Sequence, residues 1–177
     1  MGIENKRREI LLSKESIDER IKSLGELLTS EYKDKNLMVI SLLKGSFIFT
    51  ADLVRKIDLP VRIEFMTTSS YGHSEESTGQ LKIVQDISVE DLSAFDVLIV
   101  DDITDSALTM TGVLSILEKR NPKSLKACVL LDKPSRRKVE YVPDYVGFEI
   151  PDMFIVGYGL NYGDYYRNVD HVFAFVD

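Results

Sequence analysis

VLIVDDITDSALT, running from Val97 to Thr109, is the stretch on which the fold turns. Its first four residues, Val97, Leu98, Ile99 and Val100, are apolar without a polar break. That is the pattern of a short strand covered on both faces, as in a parallel sheet. The run stops at two adjacent carboxylates, Asp101 and Asp102, and a third acid, Asp105, comes three residues on. Ser106, Ala107 and Thr109 then supply small and hydroxyl side chains, and a helix is predicted from about Thr109 to Lys119. In open α/β sheets, ligands sit where strands end and helices begin. Hydroxyls and unpaired backbone N–H groups at such a turn suit an anion, most often phosphate. The neighbouring acids can hold ribose hydroxyls or, jointly with a substrate, a magnesium ion. These residues therefore read as a site for a sugar phosphate with Mg2+.

Outward from that segment the chain alternates between strand and helix patterns. Ser13 to about Leu28 carries Ile17, Ile21, Leu24 and Leu28 at helical spacing, with Ser13 or Ser16 as cap. Leu37 to Leu43 is a buried-type strand ending at Lys44-Gly45-Ser46, followed by a helix over Phe47 to Ile57. Val61 to Thr68 reads as a strand, and Leu81 to Val84 returns as another after a polar, aperiodic loop from His73 to Gln80. Leu125 to Leu131, Val146 to Ile150, Phe154 to Val156 and Val172 to Val176 complete the strands. The expected architecture is α/β: a mainly parallel twisted sheet flanked by helices, with a small hood lobe built from the terminal segments.

Composition narrows the class. A chain of 177 residues, 44% hydrophobic and 29% charged, fits one domain with a substantial core. The balance of 22 basic against 29 acidic residues, a net charge of −7, argues against broad binding to nucleic acid or anionic membrane. The lone cysteine, Cys128, lies in an apolar run and reads as a core residue, with no intrachain disulfide available. With neither an apolar leader nor a membrane-length apolar stretch, the expected location is cytoplasmic.

The Val97–Thr109 segment resembles the 5-phosphoribosyl-1-diphosphate (PRPP) signature of the type I phosphoribosyltransferases. Four further blocks, in family order, narrow the resemblance to the 6-oxopurine (hypoxanthine-guanine) branch. They are LLKGS (Leu42 to Ser46), SSYG (Ser69 to Gly72), LLDKPSRR (Leu130 to Arg137) and YVGFEIPDMFIVGYGLNYGDYYRN (Tyr145 to Asn168). The resemblance implies a single phosphoribosyltransferase domain over residues 1–177, with a flexible lid at about 70–81 that contains Ser70 and Tyr71. It also implies transfer of the phosphoribosyl group from PRPP to a purine, through an oxocarbenium-like transition state related to that of glycoside chemistry.

On that resemblance, Lys44, Gly45 and Arg167 match pyrophosphate contacts. The loop at Lys44 commonly holds a non-proline cis peptide. Asp101 and Asp102 match the acids that hold ribose hydroxyls and magnesium, and Asp105 matches the general base at purine N7. Residues Asp105, Ser106, Ala107, Leu108 and Thr109 would wrap the 5′-phosphate. Lys133 matches the reader of the purine's exocyclic oxygen: an ammonium has donors only, which suits a 6-oxo group and opposes a 6-amino group. Phe154 would stack on the base and Ile155 would supply backbone contacts. The family relatives assemble as dimers or tetramers, so a homodimer or homotetramer is expected here.

Three positions depart from the family pattern. Asp101 stands where glutamate is common. Ala107 stands where glycine is usual, at a cost on the order of 1 kcal/mol if the backbone there has positive φ. The expected consequence is weakened PRPP affinity. Asn161 stands where an aspartate commonly lies near the purine and a second magnesium; its amide oxygen can ligate but carries no charge, so weaker binding of that metal is expected. Two rival readings keep the same fold: a PRPP-sensing regulator, and a phosphoribosyltransferase preferring xanthine or another base.

Overall fold

The computed structural model describes residues 6–70 and 81–176. Tyr71 and nearly all of the expected lid lie outside these residues. The elements in chain order are β1 (Arg7–Leu12), α1 (Lys14–Glu31), β2 (Leu37–Leu43), α2 (Phe47–Val54), β3 (Arg62–Ser70), β4 (Leu81–Gln85), β5 (Asp96–Thr104), α3 (Leu108–Glu118), β6 (Ser124–Asp132), β7 (Tyr145–Glu149), β8 (Ile155–Val156) and β9 (Val172–Val176).

Six strands form the main sheet in the order β4-β3-β2-β5-β6-β7, parallel throughout except for the antiparallel β3–β4 pair. Its central strands are apolar on both sides because both sides are covered. On one side Leu37, Val39, Leu98 and Val100 pack with Ile17, Ile21, Leu24 and Leu28 of α1 and with Phe49 and Leu53 of α2. On the other, Met38, Ile40, Val97 and Ile99 pack with Met110, Val113 and Leu117 of α3. Each such fully buried side chain contributes about 1.5–3 kcal/mol of transfer free energy. The Ser13 hydroxyl caps α1 by accepting from Ser16 N at 3.1 Å. Arg20, further along α1, donates to Val146 O at 2.6 Å and Gly147 O at 2.8 Å, fastening the helix to β7.

A second sheet, β1-β9-β8, is antiparallel and joins the two ends of the chain, with Arg7 opposite Val176. This is the expected hood, and its first strand is an addition to the sequence reading. RREILL shows neither a clean alternation nor an apolar run, and only pairing with β9 makes it a strand. Several boundaries also differ from expectation. Helix α2 ends at Val54 rather than Ile57. Strand β5 does not stop at the acid pair but continues to Thr104, because its ladder with β6 runs on through Ile103–Leu131 and Thr104–Asp132.

That continuation creates the crevice. Pairing of β2 with β5 ends at Ser41–Val100, yet β2 stays with β3 to Leu43–Thr67 and β5 stays with β6 to Thr104–Asp132. The sheet therefore splits between β2 and β5 at its C-terminal edge. It is also the point where successive connections lead to opposite sides, the position at which open α/β sheets bind ligands.

Candidate active site

Two cavities open at this edge. One, of about 100 Å³, is lined by Asp101, Thr104, Asp105, Ser106, Ala107 and Thr109 at the start of α3. The other, of about 350 Å³, brings together Asp102, Asp105, Lys133, Phe154, Ile155 and Asn161. Asp105 lines both. A larger groove of about 570 Å³ between α1 and α2 shares no residue with either.

The smaller cavity is shaped for an anion. Helix α3 begins after Ala107, whose backbone is left-handed (φ 65°, ψ 4°) and whose side chain offers no cap. The first N–H groups of a helix lack intrahelical partners; Leu108 N makes a long contact to Ser106 Oγ at 3.4 Å, and the N–H groups after it can serve a ligand. The positive φ meets the condition stated for Ala107, which is also buried. Leu108 is not among the residues that line this cavity, and its side chain is exposed. Thr104, which the sequence reading passed over, is buried beside this cavity and its hydroxyl has no hydrogen-bond partner.

Asp101 and Asp102 are partly buried at the end of β5. Burial, together with the neighbouring Asp102 charge, holds the Asp101 carboxyl well above the usual carboxylate range. Burial also raises Asp102, partly offset by hydrogen bonds and the positive charge of Arg167. Two carboxylates forced this close favour a cation or sugar hydroxyls between them and a substrate. Among the described residues no group of three or more metal-ligating side chains stands together. The two adjacent carboxylates are themselves a donor set that would fit magnesium, which commonly takes one or two carboxylates and completes its shell with water and substrate oxygens.

Across the split lies the loop after β2. The Leu43–Lys44 peptide is cis, a conformation common in the resembling family that the sequence left open here. A buried hydroxyl network pins this loop: Ser41 Oγ lies 2.7 Å from both Ser46 Oγ and Thr50 Oγ1, and Ser46 Oγ donates to Leu42 O at 2.6 Å. Lys44 is exposed. Gly45 abuts the acid pair so closely that a Cβ there would sit 1.9 Å from Asp102 Oδ2. The hood closes over the same loop. Gly159 has φ +98°, and a Cβ on it would fall 2.1 Å from Gly45 O. Arg167 donates to Gly159 O at 2.6 Å, which brings its guanidinium to this corner. The structure thus brings Gly45, Asp102 and Arg167 together at one edge of the crevice, with Lys44 next to Gly45 in the chain.

The larger cavity holds the remaining residues. Lys133, 9% exposed, donates through Nζ to Met153 O at 2.6 Å. Burial pulls its pKa down, while Asp105 and Asp152 act in the opposite direction. Asp105 is exposed, and its Oδ1 accepts from Ser106 N at 2.5 Å. Ile155 is buried as the first residue of β8; Phe154, expected inside that strand, instead precedes it and is 60% exposed. The Phe154 ring meets Tyr162 edge-on at 5.7 Å, and further edge-on contacts continue through Phe175 and Tyr166 to Phe173. No periodicity predicts this series of rings, because it joins a loop to β9. Asn161 donates from Nδ2 to Gly163 O, which leaves its amide oxygen to a ligand.

A parallel sheet split at its switch point, with an uncapped helix start facing an acid pair, defines a binder of phosphorylated sugars. Residues 8–163 match the family model described as phosphoribosyl transferase domain, and the chain belongs to that family. Within it the chain groups with the hypoxanthine-guanine branch. It is 47% identical over 176 residues to the hypoxanthine-guanine phosphoribosyltransferase of Aquifex aeolicus, covering 99% of this chain and 98% of that protein. It is 50% identical over 165 residues to the hypoxanthine phosphoribosyltransferase of Buchnera aphidicola, covering 92% and 93%. A crystal structure of a hypoxanthine phosphoribosyltransferase from Staphylococcus aureus superposes with a TM-score of 0.91 at 41% identity, covering 95% of this chain and 91% of that one. Among the described residues no helix is long and apolar enough to cross a membrane.

Proposed function

We propose that this chain serves purine salvage by transferring the 5-phosphoribosyl group of PRPP to hypoxanthine, guanine or both, releasing pyrophosphate and giving IMP or GMP. The observation that carries the reading is the larger cavity, where the Lys133 ammonium, the Asp105 carboxylate and the Phe154 ring line one space. Lys133 donates to the purine O6, and Asp105 takes the N7 proton as the glycosidic bond forms at C1 of the ribose. Phe154 covers the base and Ile155 presents backbone to it. The α3 start, from Asp105 to Thr109, holds the 5′-phosphate.

Asp101 and Asp102 would hold the ribose hydroxyls and Mg2+, and Asn161 would offer an uncharged oxygen to a second metal ion. When bound, magnesium neutralises charge on the pyrophosphate leaving group. Lys44, the Gly45 N–H and Arg167 bind the same leaving group directly. Residues 70–81, including Ser70 and Tyr71, act as a lid that excludes water from the oxocarbenium-like centre within this single domain. A cytoplasmic homodimer or homotetramer completes the proposal; exposed Ile63, Phe65 and Val84 on β3 and β4 offer apolar surface for a second copy.

The deciding experiment offers hypoxanthine, guanine, xanthine and adenine separately with PRPP and Mg2+, with nucleotide products separated by chromatography. Nucleotide from hypoxanthine or guanine but not adenine is expected. PRPP binding without turnover of any base would overturn the reading in favour of a PRPP sensor, and turnover of xanthine alone would move the substrate.

A further inference from the structure

Arg137 follows the turn that carries Lys133, and it lines neither strand-end cavity. Its guanidinium, 15% exposed, nevertheless uses all three nitrogens on groups that belong to the site's framework. Nε donates to Tyr141 O at 2.9 Å. Nη2 pairs with Asp132 Oδ1 at 2.5 Å, and that carboxylate is 8% exposed. Nη1 donates to Asp105 O at 2.9 Å, with longer approaches to Thr104 O at 3.3 Å and Lys133 O at 3.5 Å. The two chain segments it spans are also stitched by backbone, from Lys133 N to Thr104 O at 2.9 Å and from Lys138 N to Ser106 O at 3.0 Å.

An exposed arginine that pairs with one acid contributes little. Arg137 differs because its planar fork, which loses little freedom per bond, binds the carbonyl of Asp105 and approaches that of Lys133. A carbonyl held in place fixes the peptide plane from which the side chain projects. N7 and O6 are neighbours on one edge of a 6-oxopurine, so Asp105 and Lys133 must meet that edge together. We infer that Arg137 is a positioning residue that sets the spacing between the proton acceptor Asp105 and the base reader Lys133; the inference rests on the function proposed above.

Steady-state kinetics with hypoxanthine and PRPP on the wild-type chain, Arg137→Gln and Arg137→Lys, with thermal unfolding of each, test it. A misplacement on the order of 1 Å costs roughly 10²-fold in rate. Arg137→Gln is therefore expected to lower kcat/KM for hypoxanthine by about 10²-fold, through both a lower kcat and a higher KM, while the PRPP KM stays within about twofold. Arg137→Lys keeps a charge against Asp132 but cannot fan to the carbonyls, so it should restore only part of the loss. If Arg137→Gln does not fold, the Lys variant decides by the same split between the two KM values. Wild-type-like constants in the variants, or a kcat that falls only with the folded fraction while both KM values hold, would overturn the role of Arg137 alone. An inactive wild-type chain would overturn the proposed function and this inference with it.

Discussion

Asp105 differs from the two acids before it in its surroundings. It is exposed and borders both cavities, whereas Asp101 and Asp102 are half sunk at the strand end, where burial opposes their ionisation. Asp105→Asn should leave binding of PRPP nearly unchanged and lower kcat by roughly 10²–10⁴-fold, the usual contribution of a general base. Steady-state kinetics with calorimetric PRPP titration would check both halves. Ala107 sits at φ 65° and lines the smaller cavity. Ala107→Gly is expected to relieve about 1 kcal/mol of backbone strain, less part of that in unfolded-state entropy. It should also lower the PRPP KM, and an unchanged KM would remove the argument for weakened affinity. Asn161→Asp should lower the magnesium concentration needed for half-maximal rate, since it adds a charge to an oxygen donor. The residue types were readable from the sequence, down to the cost conditional on Ala107 having positive φ. Arg137 was not: an arginine after a strand reads as a solvated side chain until its carbonyl partners are placed around it.

Element boundaries followed apolar pattern where pattern was the cause, as in β2, and failed where pairing was. Polar residues Asp101, Asp102 and Thr104 ended the apolar run of β5, but the β6 ladder carried the strand through them. Strand β1 was invisible for the same reason, since its pairing to β9 rather than its composition defines it. The contact of the hood turn with the loop after β2 is a demanding junction between elements. Gly159 there combines a positive φ with a carbonyl at Cβ distance, so Gly159→Ala meets both strain and collision. It should lower the melting temperature by several degrees, consistent with a loss of about 1–2 kcal/mol. Because the displaced carbonyl belongs to Gly45, the pyrophosphate KM in the reverse reaction should rise as well. A variant with unaltered melting and unaltered pyrophosphate kinetics would show that the hood and this loop are not coupled.

At the scale of the whole molecule, one sheet separates two apolar clusters, and each is closed by helices or hood with no part assigned to metal. Magnesium should therefore matter to catalysis but not to the fold, because the described residues contain no self-sufficient ligand set. Chelation is expected to abolish turnover, with full recovery on adding Mg2+, while the thermal midpoint of the ligand-free protein shifts by less than about 1 °C. A large loss of melting temperature on chelation would reveal a structural ion. The alternation of strands and helices made this architecture legible in advance; the split between β2 and β5 was not, because it depends on where three ladders stop.

The pairing of Arg7 with Val176 carries a consequence for the order in which the molecule can be built. Neighbouring strands such as β2 and β3 need only short stretches of chain to find each other, whereas the hood must close the long loop from Arg7 to Val176. Contacts of such sequence separation form late. After dilution from denaturant, amide protection should therefore arise in β2, β5 and β6 before β1 and β9, as read by pulsed hydrogen exchange. Residues that line the cavity at the start of α3, proposed above to hold phosphate, would be in place while Ile155, on β8, still awaited β9. A half-assembled chain of this design would grip a sugar phosphate before it could tell one nucleobase from another.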